Sequence, residues 1–201
     1  MKTTLLLLSF AAALAGCASN KTQATTSYDF GPLTAAAGNS ASPAAAVFPA
    51  LVVADVTGPA SLDTQRMFYR LMYSDAQQSR PYAFNNWSVT PLQLLSQRMK
   101  ARLAQAGVKV LNTTDAAGGL PLLRLEADEF SQNFDSATHS SASISLRASV
   151  FRHHQLVDQR TFTHTAPAES ADAPGGARGL ANASDAVAAD ILAWLATLPK
   201  Q

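Results

Sequence analysis

Between residues 141 and 150 the chain reads Ser-Ala-Ser-Ile-Ser-Leu-Arg-Ala-Ser-Val. Ala142, Ile144, Leu146, Ala148 and Val150 therefore share one side of an extended backbone, and Ser141, Ser143, Ser145, Arg147 and Ser149 the other. Ten residues at period two fit no helix. They predict a half-buried antiparallel strand with its serine side in water. After a turn through Phe151–Leu156, residues 157–164 supply the hairpin partner, with the adjacent His153 and His154 at its tip.

Other elements arrange themselves around this strand. Leu51–Val56 is a short β-branched run closed by Gly58-Pro59. Met67–Tyr73 alternates, with Met67, Tyr69, Leu71 and Tyr73 on one face, and Ser74–Asn86 reads as a polar loop. Thr90-Pro91 is a helix start, the threonine as N-cap and the proline where its missing N–H costs nothing. Leu92, Leu95, Met99, Leu103 and Ala106 then form an apolar stripe ended by Gly107. Arg98 and Arg102 flank that stripe, so Arg98→Glu is expected to be mild. Leu123, Leu125 and Ala127 alternate with Arg124, Glu126 and Asp128, whereas Phe130 and Phe134 fall on the other parity; a bulge near Asp128-Glu129 explains the switch. Past a Pro/Gly/Ala loop at 166–176, Leu180, Ser184, Val187, Ile191, Trp194 and Leu198 make a terminal amphipathic helix stopped by Pro199. The order β-β-α-β-β-β-β-α predicts an α+β fold, an antiparallel or mixed sheet with two helices packed on one face.

Upstream of the body, Lys2 precedes an apolar stretch, Leu5–Leu14, too short to span a bilayer and followed by Leu14-Ala15-Gly16-Cys17. These four positions have the lipobox shape of a bacterial lipoprotein leader, with Cys17 as the lipidated, palmitate-bearing first residue of the mature chain. The domain reading is thus a signal peptide at 1–16, the lipidated cysteine and a flexible tether at 17–46, and one α+β domain at 47–201. A tether of 29 residues spans about 30 Å when flexible. The island Tyr28-Asp29-Phe30-Gly31-Pro32 interrupts it, two aromatics beside a turn that can dock on a sheet edge.

Without Lys2 the chain holds 14 basic and 14 acidic side chains, so neither nucleic acid nor a polybasic membrane contact is indicated. Its single cysteine excludes an internal disulfide and, with four scattered histidines, a zinc-finger site. No nucleophile elbow, phosphate loop, dinucleotide glycine pattern, H-E-x-x-H or C-x-x-C occurs, so no catalytic residue, metal ligand or cofactor is assigned. Glu126, Asp128 and Glu129 are read as a solvated edge more than an acid/base or cation site. Tyr69, Arg70, Tyr73, Arg80, Tyr82 and Trp87 gather the large amphipathic side chains into about twenty residues, types enriched where partners are gripped. Two roles stay open for this set: a partner surface, or a cover over one end of the core with Arg70 paired to a carboxylate.

The runs V-V-A-D-V-T-G-P-A-S-L-D, M-F-Y-R-L-M-Y-S-D-A-Q-Q-S-R-P-Y and N-N-W-S-V-T-P-L-Q-L-L-S-Q-R-M-K-A-R-L-A-Q-A-G resemble the auxiliary lipoprotein component of ABC-type transport systems, within it the paraquat-inducible protein C class. Y-D-F-G-P, L-R-L-E-A-D-E-F-S-Q-N-F-D and S-D-A-V-A-A-D-I-L-A-W-L extend the resemblance. It implies a periplasm-facing outer-membrane lipoprotein, a sorting also expected from Ala18. Such a protein partners a mammalian-cell-entry protein and an ABC permease in moving lipids or other hydrophobic compounds, itself non-catalytic and open to homo-oligomerisation. A periplasmic lipid-binding module, which would need a hydrophobic cavity where a docking component needs only an exposed aromatic patch, an envelope-scaffolding lipoprotein and a periplasmic hydrolase are the other classes. Cys17→Ser should abolish palmitate incorporation and leave an uncleaved or soluble precursor, read by radiolabelling and fractionation.

Overall fold

The computed structural model describes residues 24–34, 43–115 and 118–199; Cys17 and the leader lie outside them. In chain order the elements are β1 (Thr26–Tyr28), α1 (Pro43–Val47), β2 (Ala50–Val53), a 3-10 turn (Ala60–Leu62), β3 (Arg66–Leu71), β4 (Asp75–Trp87), α2 (Pro91–Gln105), β5 (Lys109–Leu111), β6 (Leu122–Phe134), β7 (Ser140–Arg152), β8 (Gln155–Pro167) and α3 (Ala173–Thr197). The eight strands make one mixed, open sheet. β6 is its spine. One edge of β6 pairs antiparallel with β7, which pairs with β8. The other edge is shared end to end: β2 runs parallel along Leu122 and Leu123, and β3 runs parallel along Gln132 to Phe134. β5 flanks β2, while β4 and then β1 flank β3.

The expected bulge in β6 is present, a register shift between Ala127 and Glu129 against β7. Before it Leu123, Leu125 and Ala127 are buried; after it Gln132 and Phe134 are. The alternating strand is β7, and Ala142, Ile144, Leu146, Ala148 and Val150 are completely buried. Its serine side is not wet as expected. Ser143, Ser145 and Ser149 are buried too, because β7 lies between two long strands whose side chains cover short hydroxyls. Ser143 Oγ meets Thr165 Oγ1 at 3.0 Å, Thr163 Oγ1 donates to Ser145 Oγ at 3.0 Å, and Gln159 Nε2 donates to Ser149 Oγ at 2.7 Å. At the hairpin tip His153 and His154 both take positive φ, 47° and 65°, as a two-residue primed turn requires.

α2 begins as its sequence dictates. Thr90 Oγ1 accepts from the Gln93 N–H and Gln93 Oε1 accepts from the Thr90 N–H, a reciprocal cap; Leu95, Met99 and Leu103 are buried, and Gly107 closes the helix at φ 90°. α3 starts earlier than expected, within the segment read as loop. Asp172 caps it, accepting from the Gly175 N–H at 2.8 Å, and Pro174 sits in its first turn.

Three further readings change. Ser74–Asn86 is not a loop but most of β4, an edge strand whose polar residues face water on both sides. The tether reading fails at Thr26–Tyr28, which pairs parallel with Asn85–Trp87, and at Pro43–Val47, a helical turn that packs on α3 with Ala44 and Val47 buried. The island at 28–32 docks as expected, with Phe30 edge-on to Trp87. Arg98 is not a free flank. It is 8% exposed, and Asp185 of α3 accepts from Arg98 Nε and Nη2 at 2.7 and 2.8 Å and from Arg102 Nε at 2.7 Å. The same arginines reach back to the carbonyls of Gly31 and Thr34, so one carboxylate ties both helices to the incoming N-terminal segment.

Burial pushes the Asp185 carboxyl up, but the hydrogen bonds from Arg102 and Arg98 outweigh it and hold it below the ordinary aspartate range. A carboxyl more acidic in the folded state stabilises fully above its unfolded value, about pH 4, and loses that contribution as pH falls through its folded value. Asp185→Asn should lower stability by about 2 kcal/mol at neutral pH, since it leaves two guanidiniums facing a neutral amide. It should also flatten the acid limb of melting temperature against pH. Arg98→Glu should destabilise strongly, and Leu103→Asp should unfold the body by burying a charge; chemical denaturation checks both.

Candidate functional site: a cleft where the sheet divides

β2 and β3 share one edge of β6 without meeting. The last parallel contact on the β2 side is the Thr57–Glu126 bridge, and the first on the β3 side is Tyr69–Gln132. Between them Asp128–Ser131 has no strand partner on that edge among the described residues, and the 3-10 turn brings Ser61 and Leu62 to the gap. A cavity of about 290 Å³ opens there. Its floor is core: Met67, Trp87 and Leu180, each 2% exposed. Phe130 stands beside Trp87 with ring centroids 5.5 Å apart, and Arg66, Arg70, Asp128 and Glu129 ring the mouth.

Three of the six residues singled out from sequence, Tyr69, Arg70 and Trp87, line this cavity. Arg70 does not pair with a carboxylate. Its Nη1 donates to the carbonyls of Ala76 and Gln77 at 3.1 and 3.2 Å, bracing the β3–β4 hairpin. Trp87 is core. Tyr82 packs against Tyr69 with centroids 4.6 Å apart and donates to Gln132 Oε1 at 2.9 Å, and burial, with Tyr69 and Asp172 nearby, pushes its phenol well above the ordinary tyrosine value. Arg80 bonds Gln78 on the exposed edge at 2.8 Å. Tyr73 stands apart at the hairpin turn, 53% exposed. The set therefore divides into a covered group, Tyr69, Tyr82 and Trp87, and an outer one, Arg70, Tyr73 and Arg80, of which Tyr73 is exposed and the two arginines half-buried.

Sequence reasoning missed Gln132. Only 1% exposed, it donates from Nε2 to Ser140 Oγ at 2.9 Å and to the Asp172 carbonyl at 3.0 Å while accepting from Tyr82. It thereby ties β4, β6, the start of β7 and the cap of α3. Gly176 passes so close that a Cβ there would lie 2.0 Å from Gln132 Oε1, which is why this helix carries a glycine in its first turns. The signal was a polar residue at the core parity of F-S-Q-N-F.

The carboxylate cluster is engaged on the outer face: Arg147 Nη2 lies 2.8 Å from Glu126 and 3.4 Å from Asp128. No group of three or more metal-ligating side chains occurs among the described residues. His164 meets Asp190 at 2.7 Å, and His153 and His154 stay at the turn. No described helix is long and apolar enough to cross a membrane.

The described residues form a mixed eight-stranded sheet with three helices and a buried polar knot at Gln132. The chain belongs to the ABC-type transport auxiliary lipoprotein component family, whose profile matches residues 28–192. Its fold is similar to the crystal structure of protein XCC0632 from Xanthomonas campestris, at TM-score 0.63 and 17% identity over 88% of each chain. It is also similar to that of an uncharacterized protein, at TM-score 0.66 and 18% identity over 85% of this chain and 98% of the other. A minor lipoprotein from Acinetobacter baumannii is more distant, at TM-score 0.44 and 15% identity over 77% of this chain and 97% of that one. No curated protein matches significantly.

Tyr82→Phe should cost about 1 kcal/mol by leaving Gln132 Oε1 short of its donor, and Tyr82→Ala about 3 kcal/mol through the added cavity. Denaturant midpoints of the two variants check the order.

Proposed function

We propose that this protein is a non-catalytic lipoprotein held through Cys17 at the periplasmic face of the outer membrane. There it serves a mammalian-cell-entry protein and its ABC permease in moving lipids or other hydrophobic compounds. Family membership supports the transport role, and the lipobox at Leu14–Cys17 supports the anchor. The observation that carries a docking role is the outer edge of β4, from the hairpin turn to Phe84. Met72, Tyr73 and Phe84 are 44%, 53% and 43% exposed, three of the five large apolar side chains left in water among the described residues. They flank an edge, Asp75–Phe84, that pairs on its outer side with no described strand. Exposed apolar residues beside open backbone groups favour pairing with another chain. A second copy of this chain is a further candidate occupant of that edge.

The test separates the outer group from the covered one. Met72→Ser with Tyr73→Ser and Arg80→Ala should leave the melting temperature within about 2 °C, since each touches little of the core. The triple variant should co-purify poorly with the mammalian-cell-entry protein. Undiminished co-purification would place the interface elsewhere on the body.

A further inference from the structure

The divided edge of β6 makes a site for a ligand as well as a gap in a sheet. Cavities on this scale that run from polar mouth to apolar floor accept small amphipathic molecules. Here the floor, Met67, Trp87 and Leu180, belongs to the buried core. Side-chain alternation along β3 sends Met67 inward and Arg66 and Phe68 outward, so the cavity passes from the outer face of the sheet toward the helices. At about 290 Å³ it lies at the lower end of the range for small-molecule pockets, room for one slender chain and not for two.

Charge at the mouth narrows the class further. Two cations and two carboxylates face the opening, Arg66, Arg70, Asp128 and Glu129. The Arg66 guanidinium has no hydrogen bond or ion pair among the described residues, and Arg70 is bonded to backbone carbonyls alone, so neither positive charge is neutralised by a carboxylate. On the opposite wall Glu129 accepts from Ser131 Oγ, and Asp128 is met at 3.4 Å by Arg147 Nη2, a cation it shares with Glu126. A purely anionic head would meet Asp128 and Glu129, and a purely cationic one would meet Arg66 and Arg70. A head carrying both signs satisfies both walls.

We infer that this cavity binds a single-chain zwitterionic amphiphile of the lysophospholipid type, its acyl chain against Met67, Trp87 and Leu180 and its phosphate at Arg66. The inference rests on the reading of the chain as part of an envelope lipid-transport system. It adds that the protein itself holds cargo or senses it, one chain at a time.

The test uses the full-length lipoprotein in isolated membranes and four probes with a diazirine at the chain terminus: lauroyl-lysophosphatidylethanolamine, two-chain dilauroyl-phosphatidylethanolamine, laurate and a dodecyl-trimethylammonium. Adducts are mapped by peptide mass spectrometry after illumination. The lysolipid should label the peptides holding Met67, Phe130 and Leu180, with each of the other three about tenfold weaker, the ratio expected for loss of one well-placed charge interaction or failure to fit. Leu62→Trp, which fills the half-buried wall, should reduce labelling by about the same factor, as should Arg66→Glu. If Leu62→Trp fails to fold, Arg66→Glu, on an exposed residue, carries the test. Equal labelling by the two-chain lipid or by laurate overturns the inference, as does labelling confined to other peptides or unchanged in Arg66→Glu. Co-purification with the mammalian-cell-entry protein is measured on the same samples. Co-purification without cavity labelling removes the ligand site alone, whereas absence of co-purification in the wild type removes the transport reading.

Discussion

One extra residue in β6 sets the plan of the molecule. Without the shift at Asp128 a thirteen-residue strand would show one parity to the helices throughout, and either Leu123–Leu125–Ala127 or Gln132–Phe134 would face water. With it, the first half of β6 faces inward with its odd residues and the second half with its even ones. The same irregularity keeps β2 and β3 from joining into one continuous neighbour, since the edge they share bends where they would meet. The cavity lies beside this irregularity, with Asp128–Gln132 forming part of its lining. The parity switch satisfies two different demands on one strand, an aliphatic interior in its first half and a hydrogen-bonded glutamine in its second.

Gln132 and Asp185 divide the remaining work of cohesion. Each buries polar groups that would be costly if unmatched, and each is matched by several partners from elements distant in sequence. Gln132 joins strands to the start of α3; Asp185 joins the middle of α3 to α2 and to the segment at Gly31–Thr34. The inward side of α3 mixes Leu180, Val187, Ile191 and Trp194 with Ala173, Ala177, Ala181 and Ala188, and directional polar contacts add to that packing. The two polar contacts fix its rotation and its height on the sheet.

How much of this was legible depends on how local the determining physics is. Thr90-Pro91, the serine-alanine alternation of β7, the parity switch at Asp128 and the docking of Phe30 were readable because capping, period and turn chemistry act over a few residues. β4 was not, because an edge strand washed on both sides lacks hydrophobic alternation and its polar run is indistinguishable from a loop. The early start of α3 was hidden by Pro174-Gly175-Gly176, which read as a breaker although the proline suits a first turn and Gly176 is demanded by Gln132, a neighbour 44 positions away in the sequence. In the site, residue type singled out residues 69–87, three of whose six named side chains line the cavity, but not how the six divide. Tyr82 and Tyr73 are chemically alike and nine positions apart, and only the fold makes one a strut and the other a surface.

β1 gives the N-terminal segment a mechanical character that a plain linker lacks. It runs parallel to β4 over Thr26–Asn85, Ser27–Asn86 and Tyr28–Trp87, so tension applied upstream along the strand axis loads these contacts together in shear instead of peeling them one at a time. Behind them the carbonyls of Gly31 and Thr34 are gripped by Arg98 and Arg102, a second catch in series before the force enters the core. Whatever the chain is fastened to, a tug from that side arrives at the body as a distributed load, and the domain can be dragged or restrained by its leash without being unravelled from its first strand.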